Sequence, residues 1–212
     1  MRHVVWDWNG TLIDDLAVVV DSVNASISRY GAGPIDADGY RDHYQRPVRR
    51  FYDVLLGRPV SDDEWREIDV FFHGTYREAL HAVSLTADAV IAMSAVREAG
   101  ATQSLLSMWW HEELIPAVTR HGLSGYFVRI DGNTHDAGAT KAEHLAGHIE
   151  SLGLAPRRVV VIGDSLDDAV AAREVGVSCV MYDGGSHHRA QLEASGFPVA
   201  DSLVLAVEVA LA

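Results

Sequence analysis

Short apolar runs alternate with stretches of helical periodicity along most of the chain. Runs typical of buried strands occur at 3–6, 104–107, 126–130, 159–162 and 178–181. Helix-like spacing of apolar residues is clearest at 111–121, 139–152, 167–175 and 187–194. This alternation predicts an α/β fold in which a parallel sheet is covered by helices on both faces. Sheets of that kind bind their ligands just beyond the carboxyl ends of the strands.

Residues 16–82 do not show this alternation of strand-like and helix-like stretches, because they have helical patterns and no convincing strand. The stretch 15–30 has apolar residues at helical spacing, and Gly31 can end that helix. A second candidate helix is 47–57, and a third begins at Ser61, with Glu64 in the position of a capping box. The pattern predicts an all-helical insertion between the first strand and the rest of the sheet.

Composition narrows the choice of compartment and partner. The 212 residues contain 17 Lys+Arg against 30 Asp+Glu, and the net charge of −13 argues against a nucleic-acid or anionic-membrane partner. Cys179 is the single cysteine, which excludes a disulfide within one chain and fits a reducing compartment. No signal-peptide pattern and no run of about 18 apolar residues is present, so we expect a cytoplasmic protein.

The strongest functional signal lies at the ends of the predicted strands. The first strand ends in Asp7-Trp8-Asn9-Gly10-Thr11, the second in Ser107, and the fourth in the segment 163–168, "GDSLDD". Lys141 stands at the head of the helix that follows the third strand. In a doubly wound sheet these four ends share one edge, where they bring together carboxylates, a hydroxyl and an ammonium group.

This set of groups suits phosphoryl chemistry. A carboxylate can attack an anionic phosphate ester only when the repulsion is neutralised, which a hard divalent cation on oxygen ligands does. Asp7 and Asp164 are the natural ligand pair, while Lys141, Ser107 and backbone amides after Asp7 can hold phosphate oxygens. A glycine at position 10 lets the backbone turn tightly around the transferred group.

In their order and spacing these motifs resemble the haloacid dehalogenase (HAD) superfamily, within its phosphoglycolate-phosphatase-like group. Asp7 to Thr11 matches D-x-D-x-T except at Asn9, Ser107 matches the second motif, Lys141 the third, and 163–168 matches G-D-x-x-x-D. The resemblance covers the whole chain. It implies a Rossmann-like doubly wound core at 1–15 and 83–212, with a helical cap domain at 16–82.

The resemblance also implies a role for each matching residue. Asp7 would be the nucleophile and a Mg²⁺ ligand, with Asn9 contributing its backbone carbonyl to the metal and Asp164 and Asp168 completing the site. Gly10, Thr11, Ser107 and Lys141 would hold the phosphate. The expected reaction is Mg²⁺-dependent hydrolysis of a small phosphorylated metabolite through an aspartyl-phosphate intermediate, by a monomer or homodimer.

Asn9 departs from the family pattern, in which the second Asp of the first motif is the general acid/base. An Asn amide has no proton to exchange at neutral pH, and general acid-base catalysis contributes about 10²–10⁴-fold. Three alternatives stay open: a slow phosphatase, an enzyme whose acid/base comes from elsewhere, and a catalytically idle phosphate- or protein-binding module. His43 and His111 are candidate substitutes. A cap-lysine enzyme that cleaves C–P bonds is disfavoured, because 16–82 contains no Lys.

Two further hypotheses concern substrate choice and a different enzyme class. Arg46, Arg49 and Arg50 in the cap could clamp a second anionic group of the substrate, and Trp109 could line the pocket. The letters "GDSL" at 163–166 also spell a serine-esterase signature with Ser165 as nucleophile. No D-x-x-H follows that tetrapeptide, so the base and its orienting acid are missing from the expected place.

Overall fold

In the part of the chain that the computed structural model describes, residues 2–134 and 140–212, the centre is a six-stranded parallel sheet. The strands are β1 (His3–Trp6), β2 (Thr102–Trp110), β3 (Ile130–Asn133), β4 (Val159–Gly163), β5 (Ser178–Tyr182) and β6 (Val199–Ala200). Their order across the sheet is β3-β2-β1-β4-β5-β6, and every pairing is parallel. The predicted α/β class is confirmed.

Helices cover both faces of this sheet. They are α5 (Ala89–Glu98), α6 (His111–Arg120), α7 (Lys141–Ser151), α8 (Leu166–Val175), α9 (Arg189–Glu193) and α10 (Leu203–Leu211). Successive residues of β1 point to opposite faces. Val4 and Trp6 therefore pack in the apolar cluster that includes α5, α6 and α10, whereas Val5 packs in the cluster that includes α7, α8 and α9.

Residues 16–82 form α1 (Leu16–Ser28), α2 (Ala37–His43), α3 (Val48–Leu55) and α4 (Asp62–Ala79), followed by a 3-10 turn at Leu80–Ala82. This stretch is fully described and contains no strand, as the pattern predicted. The four helices, called the cap helices below, bury their own apolar cluster. The capping box at the start of α4 is confirmed, since Ser61 and Glu64 each accept the other's backbone N–H. The division into core and cap domains stays a prediction.

Two predicted strand boundaries are wrong. The second strand extends over nine residues instead of ending at 107, because it continues past a register shift after Leu106 and pairs again at Trp110 with Asn133. The third strand does not cover 126–130. Tyr126 lies in a 3-10 turn and Phe127 packs against the apolar cluster from outside the sheet, so the strand begins only at Ile130.

Within the described residues, no helix combines the length and the apolar character needed to cross a bilayer.

Candidate active site

Four charged side chains converge at the carboxyl edge of the sheet. Asp7 follows β1 directly, Asp164 follows β4, Asp168 lies in the first turn of α8, and Lys141 begins α7. The Lys141 ammonium lies 2.9 Å from Asp7 Oδ1 and 2.6 Å from Asp168 Oδ1. Each of the three carboxylates offers an oxygen within 4.8 Å of the others. We call these four residues the carboxylate cluster; the sequence predicted all of them and the structure brings them together.

Burial shapes the electrostatics of the carboxylate cluster. Burial raises the pKa of Asp7 well above its usual value, although Lys141 opposes that shift. Burial, together with the neighbouring Asp168, raises the pKa of Asp164 to about 6. Burial alone would lower the pKa of Lys141, yet Asp168 and Asp7 outweigh it and raise the pKa above its usual range. Lys141, the only lysine in the chain, therefore stays charged.

The donor set of the carboxylate cluster fits a hard divalent cation. Three buried carboxylates face a single ammonium group, which leaves an excess of negative charge in a site closed to bulk water. Carboxylate oxygens are the ligands that Mg²⁺ prefers, and it typically takes one or two of them together with water and phosphate oxygens. The chemistry of these residues is thus suited to Mg²⁺.

Asp164 is held in place by hydrogen bonds from two hydroxyl groups, and the backbone at Gly10 approaches it closely. Thr11 Oγ1 donates to Asp164 at 3.0 Å, and Ser186 donates both its N–H and its hydroxyl at 2.8 and 2.7 Å. Gly10 has φ +69°, and a Cβ there would meet Asp164 Oδ2 at 2.5 Å. Thr11 is fully buried and its hydroxyl is directed to the Asp164 carboxylate, while its contact with phosphate stays a prediction.

The Asn9 side chain makes a contact that the sequence did not predict. Its Nδ2 donates to Asp15 Oδ2 at 2.9 Å and to the hydroxyl of Tyr76, on α4, at 2.8 Å. The Tyr76 hydroxyl donates in turn to the same Asp15 oxygen at 2.6 Å, and Gly10 N donates to Asp15 Oδ1 at 2.7 Å. Asp15 is 1% exposed, and burial raises its pKa. These hydrogen bonds join the loop after β1 to the cap helices, and we call Asn9, Asp15 and Tyr76 the Asn9 triad.

Ser107 lies close to the Asn9 triad, although inside β2 rather than at its end. Its hydroxyl is 3.4 Å from Asn9 Oδ1 and accepts a hydrogen bond from Trp109 N at 3.0 Å. Ser107 lies in the part of β2 where the pairing with β3 shifts register, between Leu106 and Trp110. Ser107 therefore sits beside the site despite the wrong strand boundary.

A cavity of about 360 Å³ opens above this edge, between the core and the cap helices. Its floor is formed by Asn9, Gly10 and Ser186. Asn9 and Gly10 are two and three residues from Asp7 along the chain, and Ser186 is hydrogen-bonded directly to Asp164. Aromatic side chains from α2, α3, α4 and β2 form most of its wall. The volume lies in the range of small-molecule sites.

The three cap arginines lie in different surroundings. Arg46 reaches the cavity, where it forms an ion pair with Asp167, and Trp109 lies in the cavity wall. Arg49 instead binds the Val60 carbonyl and Asp62 within the cap. Arg50 is exposed and does not line the cavity. Contact of these side chains with the substrate stays a prediction.

The remaining candidates from the sequence have ordinary structural roles. His111 Nδ1 accepts a hydrogen bond from Gly132 N at 3.1 Å, and His43 is exposed at the end of α2, away from the cavity wall. Ser165 Oγ donates to Asp168 at 2.6 Å, so this hydroxyl supports the carboxylate cluster. The hydrogen-bond partner of the Ser165 side chain in the described part of the chain is Asp168, and not the histidine that an esterase nucleophile would need.

Comparisons with known proteins agree with this geometry. A family model described as haloacid dehalogenase-like hydrolase matches residues 4–182. A phosphoglycolate phosphatase of Agrobacterium fabrum is 28% identical, over 83% of this chain and 78% of its own. A phosphoglycolate phosphatase of Vibrio vulnificus is 26% identical, over 100% and 96%. A haloacid dehalogenase-like hydrolase structure from Streptococcus pneumoniae superposes with a TM-score of 0.85 at 17% identity, over 99% and 98%.

The chain belongs to the haloacid dehalogenase-like hydrolase family. Within it the chain is an enzyme of the phosphatase type, similar to the phosphoglycolate phosphatases. Both the family indicated by the four motifs and the expected enzyme class are confirmed.

Proposed function

We propose that the protein hydrolyses a small organic phosphate monoester through a phosphorylated Asp7. The observation that carries the proposal is the carboxylate cluster itself, in which a buried carboxylate at a strand end lies against a lysine and two further acids. The named phosphatase relatives support the same reaction type. Substrate, metal and residue roles are part of the proposal.

In the first step an Asp7 oxygen attacks phosphorus, the bond to the ester oxygen breaks, and the leaving oxygen takes its proton from water. Lys141 offsets the charge of Asp7 and of the incoming phosphate, while Ser107 and the N–H groups directly after Asp7 would hold phosphate oxygens. In the second step water attacks the same phosphorus, inorganic phosphate leaves, and Asp7 is regenerated.

The residues that would hold Mg²⁺ are Asp7, Asp164 and the backbone carbonyl of Asn9, with Asp168 acting through water. When bound, the ion neutralises phosphate charge and polarises the phosphoryl group. Ser186 and Thr11 keep Asp164 oriented toward this place, since both donate to its oxygens. Because the carbonyl of Asn9 is a backbone group, the Asn side chain does not weaken this ligand.

Proton transfer is the weak point of this site. Asn9 cannot give a proton to the leaving oxygen or take one from water, and its amide is committed to Asp15 and Tyr76. We therefore expect a slow enzyme on alkyl phosphates and a faster one on aryl phosphates, whose leaving groups hardly need a proton.

The test is hydrolysis of an aryl phosphate with Mg²⁺ and with a chelator, by wild type, Asp7→Asn and the control Asp14→Asn. Asp14 is the exposed neighbour of the motif, so its variant should keep wild-type activity. Asp7→Asn should lose turnover by more than about 10⁴-fold, as expected for loss of a nucleophile. Unchanged activity in purified Asp7→Asn, or equal activity in the chelator, would refute the assignment.

Asn9 also favours a second candidate, a phosphate-binding module without turnover. That alternative predicts binding of inorganic phosphate by calorimetry, with Mg²⁺ present, and no hydrolysis of any ester in the same screen.

A further inference from the structure

The cavity above the carboxylate cluster has an aromatic wall that extends deep into the cap. Its lining includes Tyr40, Phe51, Trp65, Phe72 and Trp109. Tyr40 and Phe51 are nearly fully buried, so the cavity passes between the cap helices rather than along their surface. Aromatic faces favour planar aromatic partners, which they contact by offset or edge-to-face stacking.

The charges around the cavity disfavour a second anionic group on the substrate. Arg46 is the one cationic side chain of the Lys or Arg type in the described lining, and it is already paired with Asp167. Asp15 and Asp69 also line the wall. A carboxylate in the leaving group would face these acids without a free cation to receive it.

We propose that the leaving group carries an uncharged, planar aromatic ring. This inference rests on the proposed phosphatase function and names its substrate class: phosphate monoesters of alcohols bearing a neutral aromatic ring. The ring stacks on the aromatic wall. The phosphate is then directed to Asp7 across the floor formed by Asn9 and Gly10. Phosphoglycolate, which combines a carboxylate with no ring, is a poor fit to this cavity.

The first test compares kcat/KM for four esters: uridine 5′-monophosphate, pyridoxine 5′-phosphate, glycerol 1-phosphate and 2-phosphoglycolate. At least one ring ester should exceed glycerol 1-phosphate by tenfold or more, with phosphoglycolate the slowest. If neither ring ester reaches that ratio, or if phosphoglycolate is the best substrate, the inference is wrong while the phosphatase function stands.

The second test uses Trp109→Leu, which keeps an apolar side chain and removes an aromatic face from the cavity wall. KM for the preferred ring ester should rise about fivefold, the size expected for one aromatic contact. KM for glycerol 1-phosphate, which does not reach the ring site, should stay unchanged and serves as the control. Equal changes for both esters would show a general disturbance and would contradict the inference.

A binding measurement separates this inference from the proposed function. Calorimetry with uridine and with pyridoxine needs no turnover, so it remains informative if no ester is hydrolysed. Binding of either compound, weakened in Trp109→Leu, with no hydrolysis would refute the phosphatase proposal and retain the ring site. Absence of binding by both at millimolar concentration would refute the ring site.

Discussion

The first strand, β1, has a buried polar cluster at each of its ends. At its start, His3 bonds to Thr102 Oγ1 at 2.7 Å and to Ser104 Oγ at 2.8 Å. Ser104 Oγ also bonds to His148 Nε2, and His148 Nδ1 to Asp131 Oδ2, both at 2.7 Å. These five residues form the amino-end network. The carboxylate cluster begins at Asp7, four positions later.

The two clusters differ in how their charges are balanced. In the amino-end network burial alone would raise the pKa of the one carboxylate, Asp131, but hydrogen bonds and charges from His148 and Arg129 outweigh it and lower that pKa to about 2. In the carboxylate cluster three acids share one lysine, and burial raises the pKa values of Asp7 and Asp164. The first arrangement stabilises the fold, whereas the second holds charge that only a ligand can balance. Functional sites commonly lower the stability of the folded protein in this way.

The same substitution in the two clusters should change stability in opposite directions. Asp7→Asn should abolish turnover and should also raise the free energy of unfolding in chelator, because it removes a buried carboxylate whose charged form is disfavoured. Asp131→Asn should lower it by about 1 kcal/mol, since it weakens charge-assisted bonds. Urea unfolding of both variants at neutral pH is the measurement. A loss of stability in Asp7→Asn would contradict the comparison.

Removing the single cation should be the most damaging change to the fold. Lys141→Met leaves Asp7 and Asp168 buried without their shared partner, and breaking such an arrangement typically costs about 3–5 kcal/mol. Arg120→Met, at an exposed cation on α6, is the matched control and should change little. The midpoint of urea unfolding measures both. Equal stability of the two variants would show that Lys141 does not compensate the carboxylates.

Restoring the missing carboxylate at position 9 should require a second change. In Asn9→Asp the new carboxylate would stand where Nδ2 now lies, 2.9 Å from Asp15 Oδ2, and like charges so close disfavour ionisation. Asn9→Asp combined with Asp15→Asn avoids this conflict. Turnover of an alkyl phosphate by the double variant should rise toward the 10²–10⁴-fold range of a general acid.

Steady-state kinetics on an alkyl and an aryl phosphate check this prediction. The aryl ester should gain less, unless breakdown of phospho-Asp7 limits the rate, in which case both esters gain together. The single Asn9→Asp variant should gain less than the double. A double variant no faster than wild type would show that the missing carboxylate is not the deficit.

The amino-end network should respond to acid in a way that the carboxylate cluster does not. Burial, with a contribution from His148, lowers the pKa of His3 from 6.5 to about 4. A depressed folded pKa contributes stability that is complete above pH 6.5 and is lost as pH falls toward about 4, up to about 3 kcal/mol. His3→Gln should flatten that slope in urea unfolding, and the exposed His43→Gln should leave it unchanged. If the free energy of unfolding of His3→Gln depends on pH as steeply as that of wild type, the assignment is contradicted.

Local patterns were sufficient to predict much of the carboxylate cluster. Asp7, Asp164 and Lys141 stand directly at element ends, and the carboxyl ends of parallel strands meet at one edge, so their order along the chain placed them together. The predicted strand boundaries were wrong where tertiary contacts determine where a strand begins or ends. The aromatic residues at 126–127 have strand propensity but pack outside the sheet, and β2 continues past its register shift.

The Asn9 triad and the cavity were beyond the reach of sequence patterns. Asp14 and Asp15 are adjacent, and nothing in their spacing tells which carboxylate is buried. Tyr76 lies 61 positions from Asp15, on a helix whose rotation depends on how α4 packs against α1. The contacts of Arg49 with Val60 and Asp62 were not predicted for a similar reason, because they involve a loop that helical spacing does not predict.

The central claim is that Asp7 carries the phosphoryl group, and trapping that intermediate tests it most directly. Wild type mixed with Mg²⁺ and an aryl phosphate is quenched in the steady state and treated with borohydride, which reduces an aspartyl phosphate to homoserine. Mass spectrometry of the peptide containing residues 3–11 should then show homoserine at position 7, absent from Asp7→Asn and from wild type without substrate. Turnover that proceeds with position 7 unmodified, or homoserine at another aspartate, would contradict the account.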